Sequence, residues 1–212
     1  NLAKNHDWKF ALCSFENQPE IHITRLMEIY TNQQFFDGRE KMGRGMMEDA
    51  FKWVNEHFFF IDNMGEEPND LTSILDRARV LVKRFGVRGL VVDPYNYIEI
   101  DRKESTETEA ISNMLTKIKK FCTAHDVHTW FVAHPSKINR SGVEQPRPDG
   151  MSISGSMAWW AKTDCGLTVH RQKDCVEIAV WKCRYRWVGT QGETALGYNK
   201  TSGTYMEMMD KF

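Results

Sequence analysis

Long apolar runs are absent from this sequence, because no stretch approaches the ~18 consecutive apolar residues that a membrane-spanning helix needs. No secretory signal pattern opens the chain either. Charge of one sign is equally lacking, since 28 Lys and Arg residues are balanced by 29 Asp and Glu residues. These absences argue against membrane and export classes, and they confine any nucleic-acid contact to a local patch.

Cysteine is sparse and has no pairing pattern. The five cysteines are odd in number, widely spaced and without a C-x-x-C pair. Cys13, Cys122 and Cys183 stand among apolar residues, which is typical of reduced core thiols, so we predict a cytoplasmic protein. No linker divides the 212 residues, and we predict a single α/β domain over 1–212.

The segment "RGLVVDPYNYI" at 88–98 has three apolar residues that run directly into Asp93 and Pro94. An unbroken apolar run is typical of a strand buried on both faces of a parallel sheet. Pro94 has no N–H to donate, so we expect the strand to end at Asp93. A carboxylate at that point lies at the ligand-binding edge of an open sheet, although it equally suits a residue that caps the next turn.

Strand and helix patterns alternate along the first two thirds of the chain, which favours a mainly parallel sheet flanked by helices. Pro19 suits a first helical residue, Asn69 or Asp70 suits a helix cap, and Gly86 suits a helix end. The opening "NLAKN" is typical of the tail of a helix, and we expect a strand and a loop before it. The predicted strands are 8–14, 58–61, 90–93 and 128–133, and the predicted helices follow Pro19 and cover 44–57, 71–85 and 106–123.

Three of the predicted strands are followed by a polar side chain of catalytic type: Glu16, Asp93 and His134. A nucleoside triphosphatase needs a Mg²⁺ ligand, a base that polarises water and a group that senses the terminal phosphate. Asp93 suits the first role, Glu16 the second and His134 the third. The alternatives are a carboxylate at a helix N-terminus for Glu16 and a solvated loop histidine for His134.

The stretch "WKCRYRW" alternates cations with large side chains, so a strand would carry Lys182, Arg184 and Arg186 on one face. Three cations on one face indicate an anion-binding surface, or else an exposed face beside acidic partners. The segments "GLTVHRQ", "CVEIAVWKCRYRW" and "ETALGYNKTSGTY" read as three strand-like pieces, with "NKTSG" as a hairpin tip. They predict an antiparallel β extension at the C-terminal end.

Residues 137–155 lack apolar periodicity and are rich in Gly, Pro and cations. A long loop of this kind inside a compact domain is either functional or a disordered insert.

The ordered set "CSFENQP", "GLVVDPYNYI", "WFVAHPSK", "SISGSMAWWAKTDCGLTVHRQ", "VWKCRYRW" and "ALGYNKTSGTY" resembles the RecA-like motor domain of DnaB-family replicative helicases. The resemblance is greatest to phage and bacterial primase-helicases and to Twinkle-like helicases, and it extends over nearly the whole chain. It implies a RecA-like P-loop NTPase core with a C-terminal antiparallel β extension. It also implies a hexameric ring that hydrolyses ATP or dTTP with Mg²⁺ between subunits and translocates on single-stranded DNA, with an attached or separate primase as a further partner.

The resemblance assigns roles to individual residues. Glu16 matches the catalytic glutamate, Asp93 the Walker B aspartate that holds Mg²⁺, and His134 the phosphate-sensing histidine. Lys182 and Arg184 match the basic pair that enters the neighbouring subunit's site, with Arg184 as the arginine finger. The remaining matches are nucleotide-base contacts at Arg171 and Tyr198 and DNA contacts at Lys137, Asn139, Arg140 and Arg147.

One part of the family's pattern is missing, because the Walker A string G-x-x-x-x-G-K-[ST] occurs nowhere in the 212 residues. In this family the string would lie just before Asn1, so we expect a domain fragment that is inactive alone. Two other functions are compatible with the sequence: a recombinase or recombination-mediator ATPase of the same fold, and a catalytically silent domain that binds single strands or scaffolds a replisome.

Overall fold

Four parallel strands form the first sheet of the structure. The structure is a computed structural model that describes residues 1–36, 41–61, 70–99, 106–135, 147–154 and 156–208. The strands are β1 (Lys9–Ser14), β2 (Phe58–Phe60), β3 (Val87–Asp93) and β4 (His128–Phe131). They lie in the order β2-β1-β3-β4, with every neighbouring pair parallel. Each was predicted from its apolar run, and β4 ends two residues earlier than predicted.

Five helices precede or connect these strands, as the alternating pattern predicts. They are α1 (Leu2–His6), α2 (Pro19–Thr31), α3 (Arg44–His57), α4 (Leu71–Phe85) and α5 (Glu107–His125). Pro19 is the first residue of α2, and Asp70 caps α4 by accepting hydrogen bonds from the Thr72 and Ser73 N–H groups. Gly86 ends α4 with φ 71°, a conformation that favours glycine. These local signals were read correctly from the sequence.

The core beside this sheet is made by the predicted apolar faces. Leu90 and Val92, whose side chains share one face of β3, are each 1% exposed, whereas Val91 on the opposite face is only partly buried. Ile74 and Ala78 of α4 are buried to the same extent. A second cluster joins α2 to α3 through the buried residues Met27, Met42, Ala50 and Val54.

Four antiparallel strands form a separate second sheet: β5 (Cys165–Arg171), β6 (Val176–Cys183), β7 (Gly192–Asn199) and β8 (Thr204–Glu207). The predicted segment "ETALGYNKTSGTY" therefore forms two strands, β7 and β8. The turn between them lies between the register partners Tyr198 and Tyr205, as expected. The short helix α6 (Ser156–Lys162) and the 3₁₀ turns Tyr95–Tyr97 and Gly150–Ser152 were not predicted.

The described residues fall into two compact units. The first draws them from Asn1–Ile100, Lys117–Ala133 and Lys200–Gly203, and it holds the parallel sheet. The second draws them from Asp101–Thr116, His134–Asn199 and Thr204–Phe212, and it holds α6 and the antiparallel sheet.

Candidate nucleotide site

The carboxyl ends of the parallel strands meet at one edge of the first sheet. Ser14, the last residue of β1, is the register partner of Asp93, the last residue of β3. The Phe15 N–H donates to the Asp93 carbonyl at 3.0 Å, which extends the ladder by one residue. On the other side of β3, Val92 is paired with Phe131 at the end of β4. The strand ends are therefore in line, as a shared site requires.

The connections of the sheet also single out this edge. The chain leaves β1 toward β2 on one side, and it leaves β3 toward β4 on the other. Ligands of open α/β sheets bind at such a reversal, outside the carboxyl ends of the strands. Asp93 lies at the reversal and is half-buried, and β3 ends at this residue before Pro94, as predicted.

Two buried polar atoms accompany Asp93. The Ser14 hydroxyl oxygen and His22 Nε2 are enclosed, and neither has a hydrogen-bond partner among the residues that the structure describes. Burial lowers the pKa of His22 below its usual value, and the negative charge of Asp93 partly offsets this. An unsatisfied buried polar atom is costly unless a ligand or water completes it. Ser14, His22 and Asp93 together therefore indicate a polar ligand at this edge.

Glu16 and His134 follow the strand ends at short distances along the chain. Glu16 is exposed, two residues beyond β1 and three before the first residue of α2. His134 is exposed, three residues beyond β4, and it groups with the second unit. Their assigned roles as base and phosphate sensor stay predictions.

The basic pair does not lie on one long strand face. β6 ends at Cys183, so Arg184 lies beyond the strand, and Arg186 lies in a turn closed by the Val188 N–H and the Tyr185 carbonyl at 2.9 Å. The predicted alternation of three cations along one strand was therefore wrong. Lys182 and Arg184 reach instead to the end of α6: Lys182 Nζ donates to the Trp160 carbonyl and Arg184 Nη2 to the Ala161 carbonyl.

The two residues predicted to contact the nucleotide base lie close together on the second sheet, although β6 separates their strands. The guanidinium carbon of Arg171 lies 5.6 Å from the centre of the Tyr198 ring, on β5 and β7 respectively. Because the cation already covers this ring, a base held between them would first have to displace the guanidinium. Their role in base binding stays a prediction.

The predicted DNA contacts fall mostly outside the described residues, which include neither Lys137, Asn139 nor Arg140. Arg147 is described, and its Nη1 lies 2.7 Å from Glu193 Oε2. The carboxylate occupies one edge of this guanidinium.

Sequence reasoning missed the polar neighbours of the predicted residues. Ser14 closes a strand of apolar residues and His22 lies within α2, so neither has a distinguishing local pattern. Asp164 stands between α6 and β5, and its Oδ1 lies 2.8 Å from Arg184 Nε. Only the fold brings these residues to their partners.

The parallel sheet with a polar carboxyl edge, followed along the chain by an antiparallel sheet, is the architecture of a RecA-like fold. The structure superimposes with a TM-score of 0.76 on a solved ATPase domain that is 20% identical, over 97% of this chain and 76% of that one. A structure described as a DnaB-like replicative helicase and its interactions with primase gives a TM-score of 0.74 at 18% identity, over 97% of this chain and 53% of that one.

Sequence relatives define the family. The chain is 38% identical over 220 residues to the Twinkle homolog protein, chloroplastic/mitochondrial, of Arabidopsis thaliana, which covers 98% of this chain and 31% of the relative. It is 25% identical over 163 residues to a probable plasmid replicative DNA helicase of Chlamydia psittaci, which covers 73% of this chain and 34% of the relative. The chain is a RecA-like domain of the DnaB helicase family.

The chain spans about a third of the length of these two curated relatives. No family model matches it. Among the described residues, no helix is both long and apolar enough to cross a membrane.

Proposed function

We propose that this chain is the motor domain of a hexameric replicative DNA helicase, in which nucleoside triphosphate hydrolysis between subunits drives translocation on single-stranded DNA. The observation that carries the proposal is the edge at which Ser14 and Asp93 are register partners, in a chain 38% identical to a Twinkle homolog. No described residue favours the recombinase or the silent scaffold.

A hydrated Mg²⁺ ion fits the residues at this edge. Among the described residues no group of three or more His, Cys, Asp or Glu side chains could hold a metal ion. Mg²⁺ in triphosphatases is commonly held through one or two carboxylates and the substrate's phosphates, with several waters retained. Asp93 would supply the carboxylate, and Ser14 Oγ and His22 Nε2 are buried polar atoms that could hydrogen-bond to the ion's waters. When bound, the ion neutralises phosphate charge during transfer.

The chain's own residues divide the chemistry between them. Glu16 accepts a proton from the attacking water, and it follows the end of β1, the strand whose last residue is the register partner of Asp93. His134, just after β4, donates a hydrogen bond to the terminal phosphate. Arg171 and Tyr198 contact the base of ATP or dTTP, and the Tyr198 ring stacks on the base once the Arg171 guanidinium has moved off it.

Partners follow from the proposed ring. Lys182 and Arg184 act on the neighbouring subunit's nucleotide, where an arginine stabilises the charge of the transition state. Lys137, Asn139, Arg140 and Arg147 bind the phosphates of single-stranded DNA. A primase, attached or separate, is a further partner. The cytoplasm is the predicted location, although the name of the plant relative places that protein in organelles.

The test is DNA-stimulated hydrolysis and unwinding of a forked duplex by the full-length protein. Glu16→Gln and Arg184→Ala should each lower hydrolysis by about 10³-fold or more while rings still form. A mixture of the two variants should recover part of the activity. At some interfaces the Arg184→Ala subunit supplies an intact Glu16 and the Glu16→Gln subunit supplies an intact Arg184. The 212-residue chain alone should be inactive, because it contains no Walker A string.

Three outcomes would contradict the proposal. Strand pairing without unwinding would favour the recombinase, and single-strand binding without any hydrolysis would favour the scaffold. Full activity of Arg184→Ala would remove the arginine finger from the mechanism.

A further inference from the structure

Arg184 is held along one edge of its guanidinium by a short segment of its own chain. Its Nε lies 2.8 Å from Asp164 Oδ1, and its Nη2 donates to the Ala161 carbonyl at 2.7 Å. The backbone takes part as well, because the Arg184 N–H donates to the Asp164 carbonyl at 2.8 Å. These contacts to the segment 161–164 therefore fix both the backbone and the plane of the side chain.

The segment that receives Arg184 is the C-terminal end of α6. The last carbonyls of a helix have no partner within it and carry partial negative charge, so they attract cations. Lys182 Nζ reaches the same end and donates to the Trp160 and Ala161 carbonyls. The two cations of the predicted basic pair therefore share one acceptor surface.

The helix end is itself fixed to the sheet. Trp160 of α6 stacks on Trp181 of β6 with ring centres 5.1 Å apart. The Trp181 ring also lies against Gly150 and Gly166, where any side chain would collide with it. The end of α6 that accepts from Arg184 is therefore packed against β6, the strand that leads into Arg184.

The other edge of the guanidinium remains available. Nη1 donates no hydrogen bond to any residue that the structure describes, and the Arg184 side chain is 36% exposed. A guanidinium is planar and offers its donors in a fixed fork, so holding Nε and Nη2 sets the direction of Nη1. This geometry suits an arginine that must present donors to an anion outside its own fold.

We propose that Asp164 is a positioning residue for Arg184: it orients the guanidinium so that the Nη1 edge meets the phosphates bound by the neighbouring subunit. This inference rests on the proposed function, because it requires Arg184 to act in trans. Positional accuracy matters in such a role, since a shift of about 1 Å in a catalytic group costs up to roughly 10²-fold in rate.

The first experiment measures DNA-free hydrolysis by the full-length protein with Asp164→Ala and Asp164→Asn. Asp164→Ala should lower kcat by roughly 10- to 100-fold with little change in KM, because a transition-state contact is weakened and ground-state binding is not. Asp164→Asn keeps an oxygen acceptor at the Oδ1 position and should restore most of the rate. Thermal unfolding of both variants checks that the fold survives.

Glu193→Ala is the matched control. It removes the carboxylate partner of Arg147, whose side chain is also 36% exposed, at an ion pair of similar length in the same unit. DNA-free hydrolysis should be unchanged in this variant. Equal losses in Glu193→Ala and Asp164→Ala would mean that any broken surface pair has this effect, and the proposal would be overturned.

The second experiment mixes Asp164→Ala subunits with Glu16→Gln subunits. At interfaces where Asp164→Ala supplies Glu16 and Glu16→Gln supplies Arg184, both sides of the site are intact, so the mixture should exceed either variant alone. No recovery, with rings still forming, would show that Asp164 serves its own subunit's site or fold. A higher rate in Asp164→Ala than in wild type would show that Asp164 restrains Arg184, and it would overturn the proposal too.

Failure of the inference is distinguishable from failure of the proposed function. If Arg184→Ala abolishes hydrolysis while Asp164→Ala does not, the arginine finger stands and only its positioning by Asp164 is wrong. If Arg184→Ala has no effect, the proposed function itself fails.

Discussion

Ser14 and Asp93 are register partners, the last aligned pair of β1 and β3. The Ser14 hydroxyl is buried and has no hydrogen-bond partner among the described residues. Parallel partners direct their side chains to the same face of a sheet. This relationship makes Asp93 the residue through which the proposed metal dependence is best tested.

Asp93→Asn in the full-length protein should weaken Mg²⁺-dependent nucleotide binding and hydrolysis by about 10- to 100-fold, the range typical of losing a group that orients a metal's ligands. The measurement is the affinity for a fluorescent nucleotide with Mg²⁺ and with a chelator, together with the hydrolysis rate. Asp49→Asn, on the exposed part of α3, is the control. An unchanged ratio of the two affinities would exclude Asp93 as the metal-holding residue.

Tyr198→Ala should weaken nucleotide binding by about 1–3 kcal/mol, roughly 5- to 150-fold, because a stacking surface for the base is lost. Tyr198→Phe keeps the ring and should bind nearly as wild type does. Equilibrium binding to the full-length protein checks both. If Tyr198→Phe loses as much affinity as Tyr198→Ala, the hydroxyl rather than the ring is responsible.

Asp70→Ala should lower the free energy of unfolding of this chain by about 0.5–2 kcal/mol at pH 7, because α4 loses its N-terminal cap. Hydrogen bonding from the Ser73 side chain is the largest cause that lowers the pKa of Asp70. Burial opposes it, and the backbone N–H groups of Ser73 and Thr72 and the Thr72 side chain lower the pKa further. A lowered carboxyl pKa stabilises the fold above the unfolded-state pKa of about 3.9, and this stability is lost as pH falls through the folded pKa.

The difference between wild type and Asp70→Ala should therefore be full at neutral pH and should shrink below about pH 4. Denaturant titrations across this range measure it. Asp70→Asn keeps an acceptor without a titrating charge, so its own cap should not weaken in acid. A difference that grows on acidification would contradict the assignment.

Cys165 should react slowly with alkylating reagents although it is exposed. Burial of the sulfur and the adjacent Cys183 thiol both raise the pKa of Cys165, so less of the reactive thiolate is present at a given pH. Alkylation followed by mass spectrometry from pH 7 to 10 should show a midpoint above that of the same residue in denaturant. Cys183→Ser, which removes the second cause, should lower that midpoint. A midpoint at or below the denatured value would be inconsistent with the contact.

Lys137 and Arg140 lie outside the described residues, and their role as DNA contacts rests on the family resemblance. Replacing both with Ala in the full-length protein should weaken single-strand binding equally for all sequences. It should also lower the slope of log affinity against log salt by about 0.7 per lost contact. Lys52→Ala with Lys83→Ala removes the same charge elsewhere and is the control. An unchanged slope after replacement of Lys137 and Arg140 would show that this segment does not hold DNA.

Local sequence signals predicted the limits of several helices and strands of this protein. The limits of α3 follow from its apolar spacing, the start of α4 from Asp70, and its end from Gly86. Val87–Asp93 is a strand because its apolar run suits burial on both faces, and it ends where Pro94 cannot donate. The family resemblance rests on the order of such segments, which is also a property of the linear sequence.

Only the tertiary structure decided which side chains meet. The end of β6 at Cys183 depends on strand pairing, so the predicted alternation through Arg186 failed. Ser14 and His22 matter only beside Asp93, and Asp164 only beside Arg184, twenty residues further along the chain. Local pattern carries no information on such pairs, because the free energy that selects them comes from burial and hydrogen bonding between distant segments. The sequence by itself determined the elements and the chemistry that they carry, and the fold decided which of those groups share a site.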